Sequence, residues 1–209
     1  MNKRLSRGLY AITDPLLIPD KQLNHAVEQA ILGGARLIQY RAKNQAFEQC
    51  LAQAQSLNKL CHYYHIPLII NDDIELASQT SAAGVHLGKD DPIVATARAR
   101  LGQQAIIGVS CYNQIDLAMD AARQGADYIA FGAFFSSPTK PTGIRASIQL
   151  VREARVALNI PIVAIGGITP DNAPPLITAG ADMLAVISGV FAQTNIQTTA
   201  HRYTALFAS

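Results

Sequence analysis

One unit recurs along the chain and governs what it can fold into: a stretch with helical spacing, a glycine–alanine stop, then a short apolar run. GGARLIQY (Gly33 to Tyr40), GADYIAFG (Gly125 to Gly132) and GADMLAVI (Gly180 to Ile187) are three copies, and AAGVHLG (Ala82 to Gly88) is a looser fourth. Glycine suits the left-handed position that closes a helix. The apolar run suits a strand covered on both faces, as in a parallel sheet. Repetition of the unit argues for βα architecture and against a sandwich or a bundle.

Eight strands are expected, near Leu9–Thr13, Leu37–Tyr40, Leu68–Asn71, Val85–Leu87, Ile106–Ser110, Tyr128–Gly132, Ile162–Ile165 and Leu184–Ile187. Between them lie helical patterns. Asp20–Leu32 repeats Leu23, Ala26, Val27, Ala30 and Ile31 at helical spacing, and Asn113–Gln124 begins with Asn113 as a candidate N-cap. Eight such units close a compact (β/α)8 TIM barrel, expected as a single α/β domain over residues 1–209. About 250 residues is usual for that fold, so the loops must be short. The rival, an open doubly wound sheet, needs a glycine-rich turn after the first strand, and ITDPLLIPD is not one.

Composition narrows the function classes. Of 209 residues, 49% are hydrophobic and 15% charged, which excludes a disordered chain. A formal charge of +2 gives no reason to expect nucleic acid or a membrane surface as partner. Cys50, Cys61 and Cys111 are odd in number and lack CxxC spacing, so neither a disulfide framework nor a zinc site is expected. No run approaches the roughly 18 apolar residues of a membrane span, and MNKRLSRGLYAITD has no apolar leader core. The expectation is a soluble cytoplasmic protein acting on small molecules, with homo-oligomerisation left open.

In a barrel the C-terminal strand ends carry the chemistry, and polar residues gather there. Asp14 follows the first strand; Gln39, Arg41 and Lys43 the second; Asn71 and Asp72 the third. His86, Lys89, Asp90 and Asp91 belong to the fourth, Ser110 to the fifth, Lys140 to the loop after the sixth, Gly166 and Gly167 to the seventh, and Ser188 to the eighth. Arg41 and Lys43 alternate and so project alike, and two cations suit one phosphate or diphosphate; solvated loop charges are the competing reading. Asp72 and Asp91 suit magnesium, which takes one or two carboxylates and fills its shell from water and phosphate. Helix capping competes for Asp73, Asp90 and Asp91, with Pro92 at a first helical position. AIGGITPDN and VISGV offer backbone N–H groups where barrels commonly bind phosphate. His86 reads either as a site residue or as a satisfied core histidine, and His62 and His65 read as structural.

QYRAK, IINDD, GVHLGKDD, IGVS, PTK and VAIGGI occur in order along the chain, and together they resemble the thiamine phosphate synthase family. The resemblance implies an enzyme, a magnesium-dependent transferase. It would join 4-amino-2-methyl-5-(hydroxymethyl)pyrimidine diphosphate to 4-methyl-5-(2-phosphooxyethyl)thiazole and release diphosphate through a dissociative step. It further implies that Gln39, Tyr40, Arg41, Ala42, Lys43, Asn71, Ser110 and Lys140 hold the diphosphate substrate, with Arg41, Lys43, Ser110 and Lys140 catalytic. Asp72 and Asp91 would bind Mg2+. Ser137, Pro138, Thr139, Gly167, Ile187 and Ser188 would receive the thiazole phosphate. Lys89 stands where glutamine is typical, and Ser136-Ser137 replaces proline–threonine. Three alternatives remain at this point: a thiazole tautomerase-like paralogue, another phosphate-binding barrel isomerase, and a catalytically silent relative that binds thiazole phosphate.

Overall fold

The computed structural model describes residues 5–88, 91, 93–136 and 145–208. Its apolar runs are strands: β1 (Gly8–Ile12), β2 (Leu37–Tyr40), β3 (Leu68–Asn71), β4 (Gly84–Leu87), β5 (Ile106–Tyr112), β6 (Tyr128–Gly132), β7 (Ile162–Ile165) and β8 (Met183–Val186). They pair in parallel in chain order, and β8 returns to β1 with Leu9 opposite Leu184, closing the barrel. Around it lie α1 (Leu23–Leu32), α2 (Phe47–Tyr63), α3 (Ile74–Thr80), α4 (Val94–Leu101), α5 (Ile115–Arg123), α6 (Ile148–Ala157), α7 (Pro174–Thr178), α8 (Ser188–Phe191) and α9 (Ile196–Ala205). Among the described residues no helix is long and apolar enough to cross a membrane.

The glycine–alanine stop works as a helix closure. Gly34, Gly125 and Gly180 have positive φ, and the alanine after each donates to a carbonyl five residues back: Ala35 to Ala30, Ala126 to Ala121, Ala181 to Leu176. That six-to-one bond satisfies an orphan carbonyl at the helix end. The looser copy does the same with Ser81 at φ 53 and Ala82 donating to Ala77.

Period-two alternation along each strand divides the apolar residues into two cores. Leu9, Ala11, Ile38, Ile70, Val85, Ile107, Ile129, Ala164 and Leu184 pack outward against the helices. Tyr10, Ile12, Leu37, Ile69, Ile106, Tyr128, Val163 and Met183 fill the barrel. Hence Gln39, Asn71, His86 and Ser110, two residues on from inward-facing Leu37, Ile69, Gly84 and Gly108, also face inward, one layer nearer the C-terminal rim.

Some expected boundaries move. The first helical pattern opens as a 3-10 turn, Asp20–Gln22, before α1 begins at Leu23. Asn113 is not an N-cap: Gln114 holds that place without a side-chain bond, and its own N–H is turned back to the Cys111 carbonyl at 2.9 Å. β5 runs two residues further than expected, to Tyr112, with a register shift between Ser110 and Tyr112. β1 ends at Ile12, although Thr13 N–H still bonds the Gln39 carbonyl at 2.9 Å.

Candidate active site

The rim is assembled strand by strand. At the end of β1, Thr13 is buried; its hydroxyl accepts from Arg41 N–H at 2.9 Å and donates to the Arg41 carbonyl at 3.3 Å. Asp14, also buried, takes the Arg41 guanidinium at 3.1 Å and accepts Leu16 N–H at 2.9 Å. Lys43 turns the other way, its Nζ 3.8 Å from Asp72 on the β3 side. The two cations therefore do not converge: each has a carboxylate neighbour of its own, because successive strands flank them with Asp14 and Asp72. Tyr40 also departs from the expected pattern, since its ring lies in the outer core and its hydroxyl donates to Gln53 on α2 at 2.6 Å. Only its backbone remains on the rim. Ala42 packs at the edge of the same outer core.

Asp72 sits just past β3 with φ 64, a left-handed position an aspartate tolerates, and its N–H is tied to the His86 carbonyl at 2.8 Å. Its carboxyl meets that of Asp91 across the gap between β3 and β4. Burial, together with the hydrogen bond and charge of Asp91, pushes the Asp72 carboxyl up to about 6, while Lys43 and Asn71 pull it back. Two acidic groups held so close favour a shared proton or a cation. Asp91 also accepts Gly88 N–H at 2.6 Å. The capping reading fails for Asp91, since Ile93 is the N-cap residue of α4 and α4 begins at Val94, past Pro92. It holds for Asp73, whose side chain accepts Leu76 N–H at 2.8 Å. Among the described residues no group of three or more histidine, cysteine and acidic side chains is placed to hold a metal ion; a facing pair of carboxylates is instead a donor set that fits magnesium.

His86 is a satisfied core histidine and also part of the site. It is buried, with Nδ1 3.0 Å from the Tyr128 hydroxyl and Nε2 2.9 Å from the Ser110 hydroxyl. Burial pushes its imidazole down to about 4, with the Asp91 charge opposing weakly. Tyr10 and Tyr128, strand residues with no role expected from the sequence, meet edge to face at 5.9 Å, and Tyr128 stacks on His86 at 5.6 Å. A signal was present: each is a polar-tipped aromatic at an inward position of an otherwise apolar strand. His62 and His65 lie at the end of α2, edge to face at 6.5 Å, away from the rim.

The loops after β7 and β8 adjoin. Gly166 and Gly167 have φ 105 and 62. Asn172 braces the turn, donating to the Gly167 carbonyl at 3.0 Å and accepting Thr169 N–H at 2.8 Å. A side chain at Gly189 would come within 3.2 Å of the Ile168 carbonyl, so the start of α8 lies against this turn. Ile187 precedes α8, and Ser188 opens it with N–H groups that have no earlier turn to bond. Lys89, Asp90, Pro92, Ser137, Pro138, Thr139 and Lys140 lie outside the described residues.

Comparison with known proteins gives one consistent result. The family model for thiamine monophosphate synthase matches residues 9–190. A thiamine-phosphate synthase from Nitrosococcus oceani is 53% identical over 203 residues, covering 97% of this chain and 94% of its own. One from an Azoarcus species is 51% identical over 208 residues, covering both chains fully. Among solved structures, a thiamine phosphate pyrophosphorylase from Pyrococcus furiosus superposes with a TM-score of 0.87 at 31% identity, covering 98% of this chain and 97% of its own.

Proposed function

The chain belongs to the thiamine monophosphate synthase family and is a transferase of thiamine biosynthesis; we propose that residues 1–209 act as one catalytic domain that uses magnesium to couple the pyrimidine diphosphate with the thiazole phosphate. The observation that carries the reading is the Asp72–Asp91 carboxyl pair, with Lys43 at 3.8 Å from Asp72. Bound there, magnesium would neutralise the departing diphosphate. The remaining work falls to the chain's own residues. Arg41 and Lys43 exchange their carboxylate partners for diphosphate oxygens, which accept charged hydrogen bonds equally well. Ser110 and Lys140 add donors, and Asn71 and Gln39 hold the pyrimidine-bearing substrate on the inner wall. Gln39 reaches it with what its amide has left, since one N–H is already given to Tyr10 at 2.6 Å.

The backbone of Gly167, Ile187 and Ser188, with Ser137, Pro138 and Thr139, receives the thiazole phosphate. Tyr40 and Ala42 contribute main chain only. Catalysis is then positioning and charge stabilisation rather than acid–base chemistry, and cytoplasmic location follows from the substrates. Incubation with both substrates and magnesium should yield thiamine phosphate and diphosphate in equal amounts. Turnover of the thiazole without diphosphate release would overturn the reading in favour of a tautomerase-like activity.

A further inference from the structure

Four hydrogen bonds cross the barrel interior in series. Gln39 Nε2 donates to Tyr10 Oη at 2.6 Å, Tyr10 Oη lies 2.8 Å from Tyr128 Oη, Tyr128 Oη lies 3.0 Å from His86 Nδ1, and His86 Nε2 lies 2.9 Å from Ser110 Oγ. We propose that this series is a one-way chain in which Tyr10 and Tyr128 are positioning residues: they keep the single proton of neutral His86 on Nε2, and Ser110 thereby turns its own hydroxyl proton toward a substrate oxygen.

The polarity follows from counting protons. Tyr10 has one hydroxyl proton, and its oxygen already accepts from Gln39, so the proton goes to Tyr128. Tyr128 in turn has only His86 Nδ1 to donate to. A neutral imidazole that accepts at Nδ1 carries its proton on Nε2 and donates it to Ser110 Oγ. Ser110 is left with its own proton to give. Run in reverse, Ser110 would donate into His86 and present lone pairs outward, which repels an anion.

The barrel also makes room for the chain. Gly108 occupies an inward position of β5, and the Tyr128 ring fills the space a side chain there would take. All three rings are buried, so no water competes for the links. That the oxygen belongs to a diphosphate rests on the proposed function; the polarity of the chain does not.

The test reads the tautomer directly. In the full chain labelled with nitrogen-15, long-range imidazole proton–nitrogen correlations report which His86 nitrogen is protonated, and His86→Gln identifies the signals. A protonated Nε2 and bare Nδ1 are expected, and a protonated Nδ1 in the wild type overturns the proposal. Tyr128→Phe removes the hydroxyl that donates to Nδ1, so the preference for a protonated Nε2 should weaken and the Nδ1-protonated form should become populated. An unchanged tautomer in that variant also overturns it.

The consequence for Ser110 is read with inorganic diphosphate and magnesium by calorimetry. Ser110→Ala should weaken binding about tenfold, the scale of one hydrogen bond to a charged group. Tyr128→Phe should weaken it less, and the double variant should bind as Ser110→Ala does; additive losses would refute the chain. Because the tautomer is read without substrate, its outcome is separate from that of the thiamine phosphate assay.

Discussion

His86 is enclosed on every side, and burial holds its imidazole near 4 rather than the usual 6.5. Between those values the unfolded chain binds a proton that the folded chain refuses. Stability is therefore full above about pH 7 and falls as pH drops through 6.5 toward 4, by about 3 kcal/mol for the whole shift. Asp72 acts oppositely: with its carboxyl raised from 3.8 to about 6, the folded chain takes up the extra proton, which favours folding as pH falls through that range. Urea midpoints at pH 7.5 and 4.5 should converge more in His86→Gln than in wild type. Equal pH dependence of the two proteins would refute the assignment. Asp72→Ala and Asp91→Ala should each lower magnesium-dependent turnover by about 10²-fold or more with little change in melting temperature, as befits rim positions. Retained turnover in both would remove the metal pair from the mechanism. Gly167→Val tests less than its place in the loop suggests, since the added carbon would lie 2.8 Å from the Phe135 carbonyl; it displaces the chain beyond β6 before it meets any phosphate.

The two GAD stops do more than end helices. The aspartate after each takes an N–H at the start of the preceding strand, within its first two residues, and an arginine from the helix before that. Asp127 Oδ2 accepts Ile107 N–H at 2.9 Å and Arg98 at 2.8 Å, and Asp182 Oδ2 accepts Ile162 N–H at 2.9 Å and Arg155 at 3.0 Å. The two strand pairs β5–β6 and β7–β8 are thus pinned alike, at the end opposite the site. Arg98→Ala leaves a half-buried carboxylate short of its cation and should cost about 2 kcal/mol. That corresponds to a melting temperature about 4–8 °C lower, with KM unchanged; a shift in KM alone would contradict a purely structural role. The strands β2, β4, β6 and β8 are legible in the sequence because each follows the same punctuation, and the other four because each is a short apolar run; all eight lie within two residues of the expected bounds. What escaped was orientation. Nothing in QYRAK says that Tyr40 turns to α2, or that Arg41 and Lys43 part toward different carboxylates, since both depend on neighbours that lie far away in sequence. His65, at φ 56, ends α2 as glycine ends its counterparts, and no composition rule marks it.

At the scale of the whole barrel, the last helix lies against the seam that the pairing of β8 with β1 closes. α9 packs on α1 beside β1 and buries Ala200 and Tyr203. Tyr203 donates to the Ile168 carbonyl at 2.9 Å, and Thr204 donates to the Gly33 carbonyl at 3.1 Å. The C-terminal element thus ties the turn after β7 to the end of α1, across the seam where the last strand meets the first. Tyr203→Phe should lower stability by about 1 kcal/mol, or about 2–4 °C. It should also raise KM for the thiazole phosphate more than for the pyrimidine diphosphate, because only the former's loop loses its brace. Equal effects on both substrates would mean the tie serves stability alone.

The space at Gly108 has a bearing on how sequences like this one can drift. A side chain at 108 and the ring at 128 compete for one volume, so either change alone is penalised: the first by collision, the second by a hole and an imidazole without its partner. Neutral substitution at one position is therefore barred until the other has moved. The two are expected to behave as a single mutational unit, separable only through an intermediate that has lost its grip on His86.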